Sequence, residues 1–261
     1  MSINENNLNE EKKMPFKKGD FILVDYTARL SETGEAFDTT SEDVARKENI
    51  YKDGALYEPN LVVTGEGWVL KALDDALLNL ELNKTEKIEI PAEKAFGERD
   101  PKKIRLYPLR KLTSQGITPQ VGMRVEVDNR LATVRTIGSG RVLLDFNPPL
   151  AGKTLIYEVT VQKKLETSEE KISALIHRRI PYVDIGKFSF EIANGTLNIK
   201  VPEEAFYLEG LQIAKRGIAL DVQKFFPEIK TVTFTEAFKK PEQAEEKPSS
   251  EKPQEDTEKS Q

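Results

Sequence analysis

The chain has 261 residues, 38% hydrophobic and 32% charged, with 39 Lys and Arg against 44 Asp and Glu for a net charge of −5. That length allows two or three domains, and the negative balance gives no general pull toward nucleic acid. Cysteine is absent, which excludes disulfide and thiolate chemistry, and no apolar run reaches the roughly 18 residues of a membrane span.

Residues 1–15 are polar and acidic, without a signal-peptide core, and read as a flexible N-terminus of a cytoplasmic protein. Phe21 to Leu30 alternates as a strand with Ile22, Val24 and Tyr26 on one face. Gly34 to Thr40 is a turn that brings Phe37 and Asp38 back beside it. Asp43 to Asp53 is a loop or a short helix. Leu61-Val62-Val63 is a short strand. Gly65-Glu66-Gly67 then turns the chain into a helix with Val69, Leu70, Leu73, Leu77 and Leu80 spaced by threes and fours. A dinucleotide reading of Gly65-x-Gly67 fails, because the third glycine and a βαβ context are missing. Trp68 reads as packing beside the helix start.

Lys87 to Ile90 is a strand that Pro91 ends. Leu106-Tyr107-Pro108-Leu109 is extended. Val125/Val127, Leu131–Ile137 and Val142–Phe146 follow, with turn signals at Asp128-Asn129 and Gly138-Ser139-Gly140. Together they form a small β-rich insert of about 45 residues. Thr154 to Leu165 is a long strand with Leu155, Tyr157, Val159 and Val161 facing one way.

Beyond Leu165 the pattern changes. Thr167-x-x-Glu170 is a capping box that opens a helix through Ile172, Leu175 and Ile176. Asn194-Gly195 joins two alternating strands, Phe188/Phe190/Ile192 and Leu197/Ile199/Val201. Glu203 to Phe225 is helical, with Leu211, Ala214, Ile218, Val222 and Phe225 on one stripe. Thr231 to Thr235 is a last strand. This reads as a separate α+β domain. From Lys239 onward Glu, Lys, Pro, Ser and Gln dominate, so the tail reads as disordered. His177, the single histidine, sits by Arg178 and Arg179 and reads as a solvated helix face. No metal site or cofactor is expected.

Tyr26, Phe37 and Asp38 brought together make a mostly apolar pocket with one phenol and one carboxylate. Such a pocket suits gripping a peptide. The order Tyr26, Phe37-Asp38, Val69-Leu70, Phe96-Gly97 and Tyr157 resembles the FKBP family of peptidyl-prolyl cis/trans isomerases, over residues 17–165. The insert and the run Asn147-Pro148-Pro149-Leu150-Ala151-Gly152 look like the SlyD-type subfamily. The extra C-terminal domain resembles the long archaeal members.

The resemblance implies an antiparallel β half-barrel wrapped on a short helix, an α+β fold overall. The isomerase domain would span 16–101 and 146–166, the insert-in-flap chaperone domain 102–145, the C-terminal domain 167–238 and the tail 239–261. Tyr26, Phe37, Asp38, Phe96 and Tyr157 would be the catalytic set. Val69, Leu70 and Leu73 would bind substrate, with the Leu70 backbone N–H on a substrate carbonyl. Leu106, Tyr107, Leu109, Leu112, Ile117 and Met123 would form the chaperone surface. The partners implied are unfolded or partly folded proteins with Xaa-Pro bonds, with no nucleic acid and no membrane. Leu73 replaces a common Trp and Phe96 lacks a hydroxyl, which implies weaker binding of macrolide inhibitors.

Three functions compete. The first is a prolyl isomerase acting on folding intermediates. The second is a holdase with little catalytic power, tested by deleting the insert. The third is a scaffold that docks or dimerises through 167–238, tested by sedimentation of that segment. Isomerisation combined with chaperone binding is the favoured reading, because a neighbouring apolar surface raises the local concentration of unfolded chain.

Overall fold

The computed structural model describes residues 16–238. The expected flexible N-terminus and disordered tail lie outside them. In chain order the strands and helices are β1 (Phe21–Leu30), β2 (Ala36–Thr39), α1 (Glu42–Lys47), β3 (Asn60–Val63), α2 (Lys71–Leu77), β4 (Thr85–Ile90), β5 (Ile104–Pro108), α3 (Leu109–Thr113), β6 (Arg124–Val127), β7 (Arg130–Gly138), β8 (Arg141–Asp145), β9 (Leu155–Leu165), α4 (Ser168–Arg179), β10 (Ser189–Ala193), β11 (Thr196–Val201), α5 (Leu211–Phe225) and β12 (Thr231–Glu236). The fold is α+β, as the resemblance implies.

β1 is the spine of the first sheet. One edge pairs antiparallel with β9 along its whole length. The other edge is divided between β3, on its first half, and β2, on its second. β4 lies on the far side of β9. Alternation along β1 and β9 buries Ile22, Val24, Leu155, Val159 and Val161 on one face, where Leu73 and Leu77 of α2 close over them.

The expected helix from Val69 to Leu80 is shorter than the apolar spacing suggests. Leu70 is the N-cap at φ −51°, ψ 135°, so it and Val69 lie before the first turn. The cause is the preceding loop. Gly65 and Gly67 take φ of +81° and +67°, a left-handed region that disfavours any side chain. Their two N–H groups donate to the buried Asp74 carboxylate at 2.8 and 2.9 Å. The Gly-x-Gly motif therefore holds a carboxylate of its own helix.

Between β4 and β9 the chain builds a second sheet, ordered β5-β8-β7-β6. The β6–β7 turn places Asp128 and Asn129 at φ of +51° and +57°, the two-residue hairpin geometry their chemistry favours. Helix α3 was not legible in the sequence, because five residues are too few for a periodic signal. Its Leu112 plugs the core made by Val125, Val127, Ala132, Val134, Val142 and Leu144.

A buried acid ties this sheet to the segment that leads into it from β4. Asp145, 1% exposed, accepts from Arg99 at 2.6 Å and from Arg135 at 2.9 Å. Its other oxygen accepts from the Asn147 backbone and amide. The Asn147 side chain in turn bonds both backbone groups of Asp100.

The third sheet is ordered β10-β11-β12, with the hairpin at Asn194-Gly195 and β12 parallel to β11. The parallel pairing follows from α5, which carries the chain back to the same end of the sheet. The expected single helix from Glu203 to Phe225 is broken. A 3-10 turn at Glu203–Ala205 comes first, and Gly210 then takes φ +78° as the N-cap of α5. The capping box at Thr167 is present with both of its bonds.

This unit does not close its core alone. Phe21, Val63 and Leu165 of the first sheet are buried within the cluster of Ile172, Leu175, Ile176, Leu197, Ile199 and Ile218. Its core is thus shared with the back of the half-barrel. Among the described residues, no helix is long and apolar enough to cross a membrane.

Candidate functional site

β1 and β2 position the polar handle. The Tyr26 N–H donates to Thr40 Oγ1 at 3.0 Å, and the Thr40 N–H donates back to the Tyr26 carbonyl at 3.0 Å. This clamp places Asp38 where the Tyr26 hydroxyl donates to its Oδ2 at 2.8 Å. Tyr157 on β9 lies between two rings. Tyr26 is 5.8 Å away, centroid to centroid, and Phe37 meets Tyr157 nearly edge-on at 6.3 Å and 87°. Such offset and edge contacts are the favoured aromatic geometries.

Leu73 is buried in the same cluster as Tyr157, and Val69 and Leu70 pack against it. Seven of the residues singled out from sequence therefore come together: Tyr26, Phe37, Asp38, Val69, Leu70, Leu73 and Tyr157. Leu70, as an N-cap, belongs to the turn whose N–H groups find no partner within a helix.

Phe96 departs from the expected set. It is 42% exposed and does not join the cluster, whereas its neighbour Ala95 does. The Gly97 N–H closes a tight turn here on the Ala92 carbonyl at 2.8 Å.

Burial sets the electrostatics. It pushes the Tyr26 phenol above its ordinary range, and the Asp38 charge and hydrogen bond add to it. The Asn60 amide, facing the same hydroxyl, acts in the opposite sense. Burial, then the Asp38 charge, lifts Tyr157 to about 12. Both phenols thus stay protonated at neutral pH, as donors in a largely apolar wall. The arrangement has no nucleophile–base pair. It can hold an apolar ring and orient a carbonyl.

Two positions escaped the sequence reading. Asn60 sits at the strand start beside Tyr26, and no local signal marks it. Asp74 could have been noticed as an acid facing two glycine N–H groups. Asp74→Ala should destabilise the protein by about 2 kcal/mol, since two buried donors lose their acceptor. Thermal melting checks this, and Asp74→Asn should fall between the two.

His177 is not a free solvated group. Its Nε2 lies 2.7 Å from Glu58 Oε1 on the half-barrel. Trp68 does pack at the helix start, edge-on to Phe225 and under Arg178.

On the inserted sheet, Leu106 is 59% and Met123 43% exposed. Leu112 is fully buried in the insert's own core, which removes it from any surface. Tyr107, Leu109 and Ile117 are half-buried against that core. Val121, Leu131 and Ile137 are exposed and were not singled out from the sequence.

Two family models match the chain. One, described as "FKBP26, IF domain", matches residues 105–150, and the other, described as "FKBP26_C-terminal", matches residues 168–239. The chain is 33% identical over 146 residues to a short-type peptidyl-prolyl cis-trans isomerase of Methanocaldococcus jannaschii, covering 56% of this chain and 92% of that one. It is 33% identical over 161 residues to the FKBP-type peptidyl-prolyl cis-trans isomerase SlyD of Treponema pallidum, covering 60% of this chain and 82% of that one. For the SlyD of Helicobacter pylori the identity is 29% over 160 residues, covering 59% and 78%.

Proposed function

The chain belongs to the FKBP-type peptidyl-prolyl cis-trans isomerases, and from that premise we propose that the pocket of Tyr26, Phe37, Asp38, Val69, Leu70, Leu73 and Tyr157 is where prolyl bonds turn. In the same reading, the inserted sheet holds unfolded chain beside it. The observation that carries the pocket assignment is the Tyr26–Asp38 hydrogen bond set against the buried Tyr157 ring.

The chemistry asked of the site is modest. Rotation about the imide faces a barrier of roughly 18–20 kcal/mol from partial double-bond character. The twisted state loses resonance and is less polar than the planar one. A dry wall therefore favours it, and each ~1.4 kcal/mol so gained is tenfold in rate. The proline ring would rest on Tyr157, Phe37 and Leu73, and the Leu70 N–H would fix a neighbouring carbonyl. Phe96, being exposed, would meet the chain beyond the ring.

The holding surface proposed is the outer face of the inserted sheet. Leu106 and Leu143 are cross-strand partners there, and Leu131 lies exposed two strands away. Exposed apolar groups of this kind mark places where other chains bind. The residue set for this surface becomes Leu106, Met123 and Leu131. The clients are unfolded or partly folded proteins containing Xaa-Pro bonds. A cytoplasmic setting belongs to the same proposal, because a chain without cysteine has no need of an oxidising compartment.

The experiment separates the two parts. Leu106→Asp with Leu131→Asp should abolish suppression of aggregation by an unfolded client. Isomerisation of a short Xaa-Pro peptide should stay within about twofold of the parent, because both residues lie outside the pocket cluster. Aggregation suppression that survives both changes would refute the holding surface.

A further inference from the structure

The proposed pocket continues past Val69. There a cleft of about 470 Å³ opens between the half-barrel and α4. Leu23, Leu61, Trp68 and Ala174 give it apolar walls, and Asn60 and Arg178 are among its polar groups. Two residues make it continuous with the pocket. Val69 lines the cleft while packing against the pocket's cluster. Asn60 lines it while its amide acts on the Tyr26 hydroxyl.

The charges in the cleft are not equally satisfied. His177 is paired with Glu58 at 2.7 Å, and Arg179 with Asp221 at 2.7 Å. Arg178 has no carboxylate within ion-pair distance among the described residues. Its guanidinium carbon lies 4.0 Å over the Trp68 ring, and the residue is exposed. Stacking uses the face of a guanidinium and leaves its edge N–H donors able to fork onto a carboxylate. Partial burial, then the like charge of Arg179, lowers the Arg178 pKa, and the charge of Asp221 opposes them only in part.

We propose that this cleft is a subsite for client residues flanking the isomerised proline, and that Arg178 selects an Asp or Glu side chain there. The proposal rests on the pocket assignment above. An extended chain covers roughly 3.3 Å per residue, so a strand leaving the ring past Val69 enters the cleft within a few residues. Trp68 and Leu61 would cover its apolar side chains. Arg178 would add a charge-assisted bond in a partly dry setting.

The test is a peptide walk with the full chain. Paired Xaa-Pro peptides differ only by Glu or Gln, placed in turn at each of the four positions on either side of the proline. At one or two adjacent positions kcat/KM should favour Glu by about threefold to tenfold, expressed in KM. Arg178→Gln should bring that ratio to about one, Arg178→Glu should invert it, and Arg178→Lys should keep part of it. Each ratio is taken within one variant, so altered folding or turnover cancels.

A role confined to packing on Trp68 would leave the ratio unmoved by all three changes, and that result overturns the proposal. So does a ratio near one at every position for the unchanged protein while peptides are still turned over. Failure of the unchanged protein to turn over any peptide would instead refute the pocket assignment itself.

Discussion

Replacing Asp38 by Ala should lower kcat/KM for a short Xaa-Pro peptide by roughly tenfold to a hundredfold, about 1.4–2.7 kcal/mol of transition-state stabilisation. The carboxylate is exposed, so its loss opens no cavity and costs little stability. Its work is local. It accepts from the Tyr26 hydroxyl at 2.8 Å and holds that ring at 5.8 Å from Tyr157. Tyr26→Phe keeps the ring and removes the bond, so it should fall in the same direction with a smaller loss. Tyr26→Ala also removes the wall and should lose most. Exchange spectroscopy or a protease-coupled assay measures all three. Equal rates for Asp38→Ala and the parent would refute the assignment.

Both phenols lie above their ordinary value, Tyr157 at about 12. The rate should therefore show no phenolic ionisation between about pH 6 and pH 9.

Asp145→Ala should cost about 3 kcal/mol of stability, the largest loss expected from any single change where the chain enters the inserted sheet. Removal takes the shared acceptor from two half-exposed guanidinium groups and leaves the buried Asn147 donors without that partner, at a site that is 1% exposed. The hydrogen bonds from Asn147 and Arg135, and the charge of Arg99, outweigh burial and hold this carboxyl at about 2, below the usual 3.8.

A folded-state value below the unfolded one stabilises the protein above the unfolded value. That contribution is complete above about pH 4 and disappears as pH falls from 3.8 to about 2. Its size is about 2.5 kcal/mol. Urea titrations across that window should show the parent losing stability more steeply than Asp145→Ala. Parallel acid profiles for the two proteins would contradict this account.

Strand identity was legible because alternation is a local code. β1, β9 and the hairpin at Asn194-Gly195 stand where Ile22/Val24, Leu155 to Val161 and the turn residues indicate. The capping box at Thr167 was readable for the same reason, since both of its bonds lie within four residues. Helix lengths were less legible. Apolar spacing from Val69 to Leu80 continues through residues that are not helical, because a buried leucine looks the same before a helix as inside it. The Asp74 carboxylate bound to Gly65 and Gly67 decides where α2 begins. The surface of the insert was half legible. Exposed Leu106 and core Leu112 are the same residue type, and only α3 folding back under the sheet tells them apart.

The sequence by itself determined most of the strands, though it read β2 as a turn, as well as which residue types could make a dry pocket and that no thiol chemistry takes part. These follow from local spacing and composition, which need no distant partner. Tertiary structure alone decided that Asp38 meets the Tyr26 hydroxyl and that His177 reaches Glu58. It also decided that Phe21, Val63 and Leu165 close the core of the C-terminal unit. The Asp38 and His177 contacts join residues 12 and 119 positions apart. No periodicity in the chain encodes such distances; packing selects them.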